Sequence, residues 1–173
     1  PWVGASSLQY AAEGNIDLQK GTFEAWVRPR FDPQPDLKPD DPGRGAWNRN
    51  LLDVELSDGR HIGLYWNIDD RGMRVYYKQG EQYPLIMGTK TAWQQGEWHH
   101  VALTWGDQTR IYLDGQPAAE SAIAGTLPGD VAGGTIAIGK QLSEFEVDQS
   151  RITGIPRATF DIAAPPSADG STL

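Results

Sequence analysis

The chain has no cysteine among its 173 residues. This absence excludes a disulfide framework and a thiolate metal site, and it leaves the redox compartment undecided. The sequence also lacks any run of about 18 apolar residues, so we expect no membrane-spanning helix. Basic residues are few, since 15 Lys and Arg stand against 23 Asp and Glu, a formal net charge of −8. Proteins that bind nucleic acid usually concentrate Lys and Arg on one surface, so we expect no nucleic-acid partner.

Helical periodicity is scarce too, whereas turn residues are frequent, with 20 Gly and 12 Pro. Short segments of alternating apolar and polar residues predict roughly ten to twelve strands and no helix. The fold class expected is all-β, a two-sheet antiparallel β-sandwich of the jelly-roll type. We expect one domain over residues 1–162 and a linker or disordered tail over 163–173, because the tail is rich in Ala, Pro, Ser and Asp without periodicity.

The most informative stretch is a predicted hairpin over residues 97–116. On its first arm Val101, Leu103 and Trp105 share one face, and Ile111 and Leu113 share one face of the second arm. Successive side chains of a strand point to opposite sides of the sheet, so these apolar sets can be buried together. Farther along, the Ala- and Gly-rich residues 117–134 predict a loop.

Several segments occur in the order seen in laminin G-like jelly roll domains, and together they carry a family resemblance. They are Gly21–Pro29, Gly96–Trp105, Ile111–Gly115, Ile136–Gly139 and Val147–Ile152. The chain resembles these domains, which belong to the concanavalin A-like lectin and glucanase superfamily, over roughly residues 5–160. The resemblance implies two antiparallel sheets. It does not imply one function, since the superfamily holds lectins, glycan-binding modules, adhesive domains, hydrolases and lyases.

Glycoside hydrolysis needs two carboxylates that flank the scissile bond. Catalytic members of the superfamily related to laminarinases carry Glu-x-Asp-x-x-Glu on one strand. Here Glu146 and Asp148 are followed by Arg151 at the position of the second Glu. The sequence therefore contains no paired-carboxylate motif, and we assign no catalytic residue. The adjacent His99 and His100 are expected to point to opposite faces of a strand, so they cannot both bind one metal ion in that geometry.

Aromatic and polar residues fall opposite the apolar sets in the predicted strands. Sugars stack their C–H faces on aromatic rings, while charged and amide groups bind their hydroxyls. The mixture favours a glycan ligand, although packing under a loop or simple solvated ion pairs would give the same pattern. The candidate ligand-binding residues are Glu24, Trp26, Arg28, Trp47, Tyr65, Asn67, Arg74, Tyr76, His100, Arg110 and Tyr112.

A structural calcium ion is the one cofactor that the sequence suggests. The long Pro- and Asp-rich connection over residues 30–49 offers oxygen ligands, but no fixed calcium-loop spacing is present. By resemblance, a structural calcium would more plausibly involve Asn15, Asp17 or Asp148. The metal ligands stay unassigned.

The function favoured by these patterns is a non-catalytic carbohydrate-binding module of a larger protein, with a glycan or polysaccharide as its partner. The sequence starts at Pro1 with no basic-then-apolar leader, as expected of either a processed secreted protein or an excised domain. We expect an extracellular or cell-surface location. The alternative is an adhesive or structural domain that binds a protein partner, and a polysaccharide-active enzyme is a third hypothesis.

Overall fold

The computed structural model describes residues 7–36, 48–121, 130–140 and 143–163. Within these ranges the chain forms eleven strands and no helix. The strands are β1 (Leu8–Ala11), β2 (Gly21–Pro29), β3 (Arg49–Glu55), β4 (His61–Asn67), β5 (Gly72–Gln79), β6 (Gln82–Lys90), β7 (His99–Trp105), β8 (Thr109–Leu113), β9 (Gln116–Ser121), β10 (Thr135–Ile138) and β11 (Phe145–Thr153). With no helix among the described residues, none of them forms a helical membrane span.

The strands form two sheets. One has six strands in the order β1-β10-β3-β4-β5-β6, and the other has five in the order β11-β2-β7-β8-β9. Every pair of neighbours is antiparallel. The predicted fold class, an all-β sandwich of the jelly-roll type, is confirmed.

The core lies between the sheets and follows the alternation of the strands. In β2 and β7, Phe23 pairs with Leu103 and Ala25 pairs with Val101, and all four side chains are buried. Residues of the other sheet belong to the same buried cluster, including Leu64 of β4 and Val75 of β5, which also pair with each other. Since successive side chains alternate sides, the residues between these core positions lie on the outer faces of the sandwich.

The predicted hairpin is confirmed as β7 and β8, in which Leu103 pairs with Ile111. The expectation of a loop after it is wrong at its start, because residues 116–121 form strand β9, which pairs with β8. β9 ends its sheet, so Pro117 is tolerated there, since proline cannot donate a ladder hydrogen bond. Residues 122–129 lie outside the described ranges, as do 164–173 of the predicted tail.

Candidate functional site

The candidate residues divide between the two outer faces of the sandwich. Strands β2, β7 and β8 belong to the five-stranded sheet, and β4 and β5 belong to the six-stranded sheet. The structure therefore brings the candidates together as two separate groups on opposite sides of the core, and Trp47 lies outside the described residues. The first group contains Glu24, Trp26, Arg28, His100, Arg110 and Tyr112, and the second contains Tyr65, Asn67, Arg74 and Tyr76.

The outer face of the five-stranded sheet is overlain by residues 154–163, which we call the covering segment, and we call this the covered face. The ring of Phe160 lies 5.2 Å from the ring of His100 and 4.9 Å from that of Tyr112, measured between centroids. Thr22 binds the start of the covering segment through two hydrogen bonds. Its hydroxyl donates to the Ile155 carbonyl at 2.7 Å and accepts from the Arg157 amide at 2.9 Å. Tyr112 and His100 are consequently buried.

Glu24 is the ionic centre of the covered face. Its Oε1 accepts hydrogen bonds from Arg151 and Arg157, and its Oε2 lies 3.1 Å from Nε2 of His100. Burial raises the pKa of Glu24, but the hydrogen bonds from Arg151 and His100 and the arginine charges outweigh burial, so the pKa lies below its ordinary value. For His100 burial dominates over the attraction of Glu24, and the pKa is lowered. The pair is thus an ionised carboxylate beside a neutral imidazole near neutral pH.

Glu146, the first carboxylate of the hydrolase-like near-match, is also held in ion pairs. Arg28 and Arg30 both bind its carboxylate. The Arg28 guanidinium lies 4.9 Å from the ring centroid of Trp98, a cation–π distance. The two guanidinium groups occupy both oxygens of this carboxylate, whereas a general acid needs an oxygen free to reach the substrate. This environment therefore suits a structural ion pair rather than acid catalysis.

The two adjacent histidines have different partners, as their alternation predicts. The ring of His99 stacks on Trp93 at 4.4 Å, and its Nδ1 lies 3.0 Å from Asp114. Asp114 was not a sequence candidate, yet its other oxygen accepts from the His100 amide at 2.9 Å. Burial raises the pKa of Asp114, but these bonds outweigh it and hold the pKa below its ordinary value. Asp114 thereby fixes the end of the hairpin.

The outer face of the six-stranded sheet, which we call the open face, carries a tyrosine that lies across a glycine. Asp53, Gly63, Tyr76 and Ile86 are register partners on β3, β4, β5 and β6. A Cβ atom placed on Gly63 would lie 2.3 Å from Cε1 of Tyr76, so the ring passes directly over Gly63. Any side chain at position 63 would displace this ring.

Hydrogen bonds orient the tip of Tyr76. Its hydroxyl lies 3.1 Å from Nδ1 of His61, whose Nε2 contacts Asp53. Burial and the nearby charge of Asp53 raise the pKa of Tyr76, so the hydroxyl keeps its proton. Lys140 lies 3.5 Å from Asp53 and completes this polar cluster.

Two further tyrosines flank Tyr76. Its ring centroid lies 5.7 Å from that of Tyr65 and 5.9 Å from that of Tyr83, and both neighbours meet it at steep angles. Tyr83 is 50% exposed, and Ile86 beside Tyr76 is 54% exposed. The three tyrosines form an aromatic strip, which we call the tyrosine strip.

An ion pair and a shallow cleft lie beside this strip. Nε of Arg74 donates to Asp70 at 2.8 Å, and both side chains line a cleft of about 370 Å³ together with Ile86 and Lys90. Gly88 leaves the cleft open, since a Cβ there would come within 3.3 Å of Asp70. Asn67 has another role: it is buried, and its Oδ1 accepts from the amides of Asp69 and Asp70.

Four further residues belong to this surface without being sequence candidates: His61, Asp53, Gly63 and Tyr83. The alternation of residues along β4 places His61 and Gly63 opposite its core residues, and this alternation was the sequence signal for their position on the outer face. The pairing of Gly63 with Tyr76 depends on the register between strands, and neither strand shows that register by itself.

The described residues contain no group of three or more His, Asp or Glu side chains arranged to hold a metal ion. The side chains of Asn15 and Asp17 form hydrogen bonds with backbone groups. Asn15 donates to the Ala11 carbonyl, and Asp17 accepts from the Gln19 amide. Asp148 is buried and accepts from the Gln149 amide at 2.7 Å. These residues do not converge on the oxygen cage that calcium requires.

Comparison with known proteins places the chain in a family. A laminin G family model, described as the concanavalin A-like lectin/glucanases superfamily, matches residues 4–155. The chain belongs to this superfamily. Among curated protein sequences, none matches it.

Solved structures share its fold at low sequence identity. A galectin from Caenorhabditis elegans has a TM-score of 0.56 and 9% identity, over 87% of this chain and 93% of the galectin. A heptameric SAP-like pentraxin from Limulus polyphemus has a TM-score of 0.54 and 15% identity, over 80% of this chain and 65% of the pentraxin. A candidate carbohydrate-binding protein from Bacteroides ovatus has a TM-score of 0.55 and 16% identity, over 87% of this chain and 41% of that protein. These likenesses show a lectin-like jelly-roll fold.

Proposed function

We propose that this chain is a carbohydrate-binding domain and that the tyrosine strip of the open face is its ligand surface. The observation that carries the proposal is the ring of Tyr76, which lies across Gly63 and is oriented by His61. A fixed aromatic ring on an accessible sheet is a platform for the apolar C–H face of a sugar. The fold alone would not assign this function, because related folds serve many functions.

Polar groups suited to sugar hydroxyls border the strip. The Arg74 guanidinium can donate, while the Asp70 carboxylate and the Tyr76 hydroxyl oxygen can accept, since the Tyr76 proton faces Nδ1 of His61. Arg74 and Asp70 already hold each other in place, so little side-chain entropy remains to be lost when a ligand binds. This preorganisation favours binding of a polyhydroxylated ligand.

The charges of the open face favour a neutral ligand. Arg74 is paired with Asp70, and Lys140 lies within 3.5 Å of both Asp53 and Glu55. Lys78 lies 5.9 Å from the ring centroid of Tyr83. Acidic and basic groups are thus balanced around the strip, and the chain as a whole has a net charge of −8, which repels polyanions. A neutral oligosaccharide or polysaccharide fits these conditions.

The comparisons support this proposal by similarity of fold, since one similar structure is a galectin and another is a candidate carbohydrate-binding protein. We further propose that the domain works outside the cell or at its surface, where polysaccharide ligands are accessible. Detection of the natural protein in culture medium or on intact cells by antibody would test this location.

Glycan-array screening followed by isothermal titration calorimetry tests the function. We expect binding of a neutral glycan by the wild-type chain and at least about tenfold weaker binding by Tyr76→Ala, equivalent to about 1.4 kcal/mol. Tyr10→Ala is the matched control, because Tyr10 is an exposed tyrosine on β1, at the far end of the same sheet. Absence of binding to every glycan, or equal loss in both variants, would contradict the proposal.

A protein partner is the alternative that one observation favours. Tyr83 and Ile86 are large, exposed side chains on β6, which ends its sheet, and exposed apolar groups at a sheet edge suit protein contacts. An Ile86→Glu substitution tests this alternative. It should abolish a protein complex at this edge, and a complex that survives the substitution would contradict this alternative.

A further inference from the structure

The covering segment crosses the outer face of the five-stranded sheet without joining it as a strand. Two glycines mark its path, since a Cβ atom on Gly106 would lie 3.2 Å from Cγ of Pro156, and one on Gly115 would lie 3.2 Å from Cδ1 of Ile162. Among the described residues, no backbone group of 156–163 bonds to the backbone of a strand. Side chains therefore hold the segment on the face, and it can detach more easily than a strand of the sheet.

Two side chains of the covering segment anchor it, and they support each other. Arg157 forms an ion pair with Glu24, and its guanidinium lies 5.6 Å from the ring centroid of Phe160. Phe160 in turn packs on the rings of His100 and Tyr112. Loss of the Arg157 contact would therefore loosen Phe160 as well.

Arg157 shares its partner with an arginine of the sheet, because Arg151 binds the same Oε1 of Glu24. A bulge in β11 brings Arg151 there. The pairing of β11 with β2 shifts between Asp148 and Arg151, Gln149 takes a left-handed φ of 49°, and Arg151 becomes the register partner of Glu24. The sheet thus holds the backbone of Arg151 beside Glu24, whereas Arg157 is held there only through the covering segment.

The charges around Glu24 depend on the protonation state of His100. With a neutral imidazole, one carboxylate faces two guanidinium groups, an excess of one positive charge. Nε2 of His100 lies 3.1 Å from the other carboxylate oxygen. A proton on this ring places three cations around one buried carboxylate, where like charges repel more strongly than in water. The repulsion is relieved when one of the cations moves into solvent.

Other groups near His100 act less directly on this balance. Asp114 binds the His100 amide and Nδ1 of His99, so it attracts a proton on His100 whether or not the face is covered. Asp161 of the covering segment lines the same cleft as His100, but it is exposed, and solvent screens its charge. Tyr112 contributes a ring contact rather than a charge.

Burial of His100 acts in the same direction as the repulsion. Burial lowers the pKa of His100 more than Glu24 raises it, so the ring is neutral near neutral pH while the face is covered. Departure of Phe160 exposes the ring, and departure of Arg157 removes a positive charge, so the uncovered state binds a proton more tightly. A ligand shifts an equilibrium toward the state that it binds better, and here that ligand is the proton.

We propose that the covering segment is an acid-labile cover: when His100 takes up a proton, Arg157 leaves Glu24 and the segment is released from the covered face. The core lies on the inner side of the sheets, so the strands stay paired. Release makes the rings of His100 and Tyr112 and the Glu24 carboxylate accessible. The proposal does not depend on the tyrosine strip, which lies on the other sheet.

The amide of Arg157 reports on the covered state, because it donates to the hydroxyl of Thr22 at 2.9 Å. The full chain, with isotope-labelled histidine and backbone nitrogen, is followed by NMR from pH 8 to pH 5. Imidazole signals give the protonation of His100, and amide exchange corrected for its intrinsic pH dependence gives the protection of Arg157. We expect this protection to fall at least about tenfold as His100 takes up its proton, whereas the Leu103 amide in β7 keeps its protection. Unchanged protection of Arg157, or an equal loss at Leu103, would overturn the proposal.

Variants assign the effect to the two named groups. His100→Gln cannot take up a proton, so the protection of Arg157 should no longer depend on pH. His99→Gln is the matched control, since His99 stacks on Trp93 and should not affect the fall in protection. Arg157→Gln removes the cationic anchor, so His100 should take up its proton at a higher pH than in the wild type. A fall in protection that persists in His100→Gln, or an unchanged titration of His100 in Arg157→Gln, would also overturn the proposal.

Discussion

The two outer faces of the sandwich are built from the same alternation of residues, yet they have opposite environments. On the covered face, Glu24, Glu146 and Asp148 are buried, and Phe160 lies over His100 and Tyr112. On the open face, Tyr76 lies across a glycine and Tyr83 is half exposed. A polar and aromatic outer face thus becomes a packed layer in one sheet and an accessible platform in the other. The covering segment contributes to this difference, because Phe160 packs on His100 and Tyr112.

Stability should depend strongly on charges of the covered face and weakly on charges of the open face. Glu24→Ala leaves His100 and two arginines without their shared carboxylate, and we expect a loss of about 3 kcal/mol in the free energy of unfolding, because the removed partner is buried. Asp70→Ala breaks the partly exposed pair with Arg74 and should cost about 1 kcal/mol or less. Urea denaturation of both variants measures the difference. Equal losses would show that the two faces are not distinct.

Substitutions of aromatic residues should show the same difference between the two faces, with smaller losses of stability. Phe160→Ala removes a half-buried ring that contacts two other rings, and we expect a loss of about 2 kcal/mol. Tyr83→Ala removes a ring that is 50% exposed, and the change should stay within about 0.5 kcal/mol. Thermal unfolding followed by circular dichroism compares the two. A larger loss for Tyr83→Ala would reverse the assignment of the faces.

The glycine under Tyr76 should matter for binding more than for stability. Gly63→Ala forces the end of the Tyr76 side chain to move, so glycan affinity should fall at least about tenfold, with a stability loss of about 1 kcal/mol. Gly154→Ala is the control, since no atom lies within 4 Å of its added Cβ. Calorimetric titration and urea denaturation of both variants test this. Unchanged affinity in Gly63→Ala would show that the position of the Tyr76 ring does not determine binding.

The smallest expected effect is a pH dependence that arises on the covered face. The folded-state pKa values of His100 and Glu24 are both lowered, so the unfolded chain takes up protons first as pH falls. Stability is then complete above about pH 6.5, declines below it through His100, and declines further below about pH 4 through Glu24. Glu24, Asp114 and Arg151 are the charged groups that act on His100. The free energy of unfolding of His100→Gln should change less with pH than that of the wild type between about pH 6.5 and 5. An unchanged slope would mean that other groups cause the pH dependence.

Much of the fold was predictable because it depends on local alternation. The segments around Phe23, Val101 and Ile111 show their core face directly, and the hairpin follows from its turn residues. The division of the candidate site was not predictable in this way. Whether Trp26 and Tyr76 share a surface depends on which sheet each strand joins, and that is decided by long-range pairing. Phe160 lies in a stretch with no strand pattern, so its contact with His100 could not be read from spacing. Arg151 faces outward only because of the bulge at Gln149.

The central claim is that a neutral glycan binds on the tyrosine strip, and the His61 signal tests it most directly. His61 lies 3.1 Å from the Tyr76 hydroxyl, so an oligosaccharide on the strip must change its environment. The labelled chain is titrated with the best oligosaccharide ligand from the glycan array. We predict a saturable shift of His61 that is absent in Tyr76→Ala and kept in Tyr10→Ala. Calorimetric binding of that oligosaccharide with no change at His61 would contradict the claim.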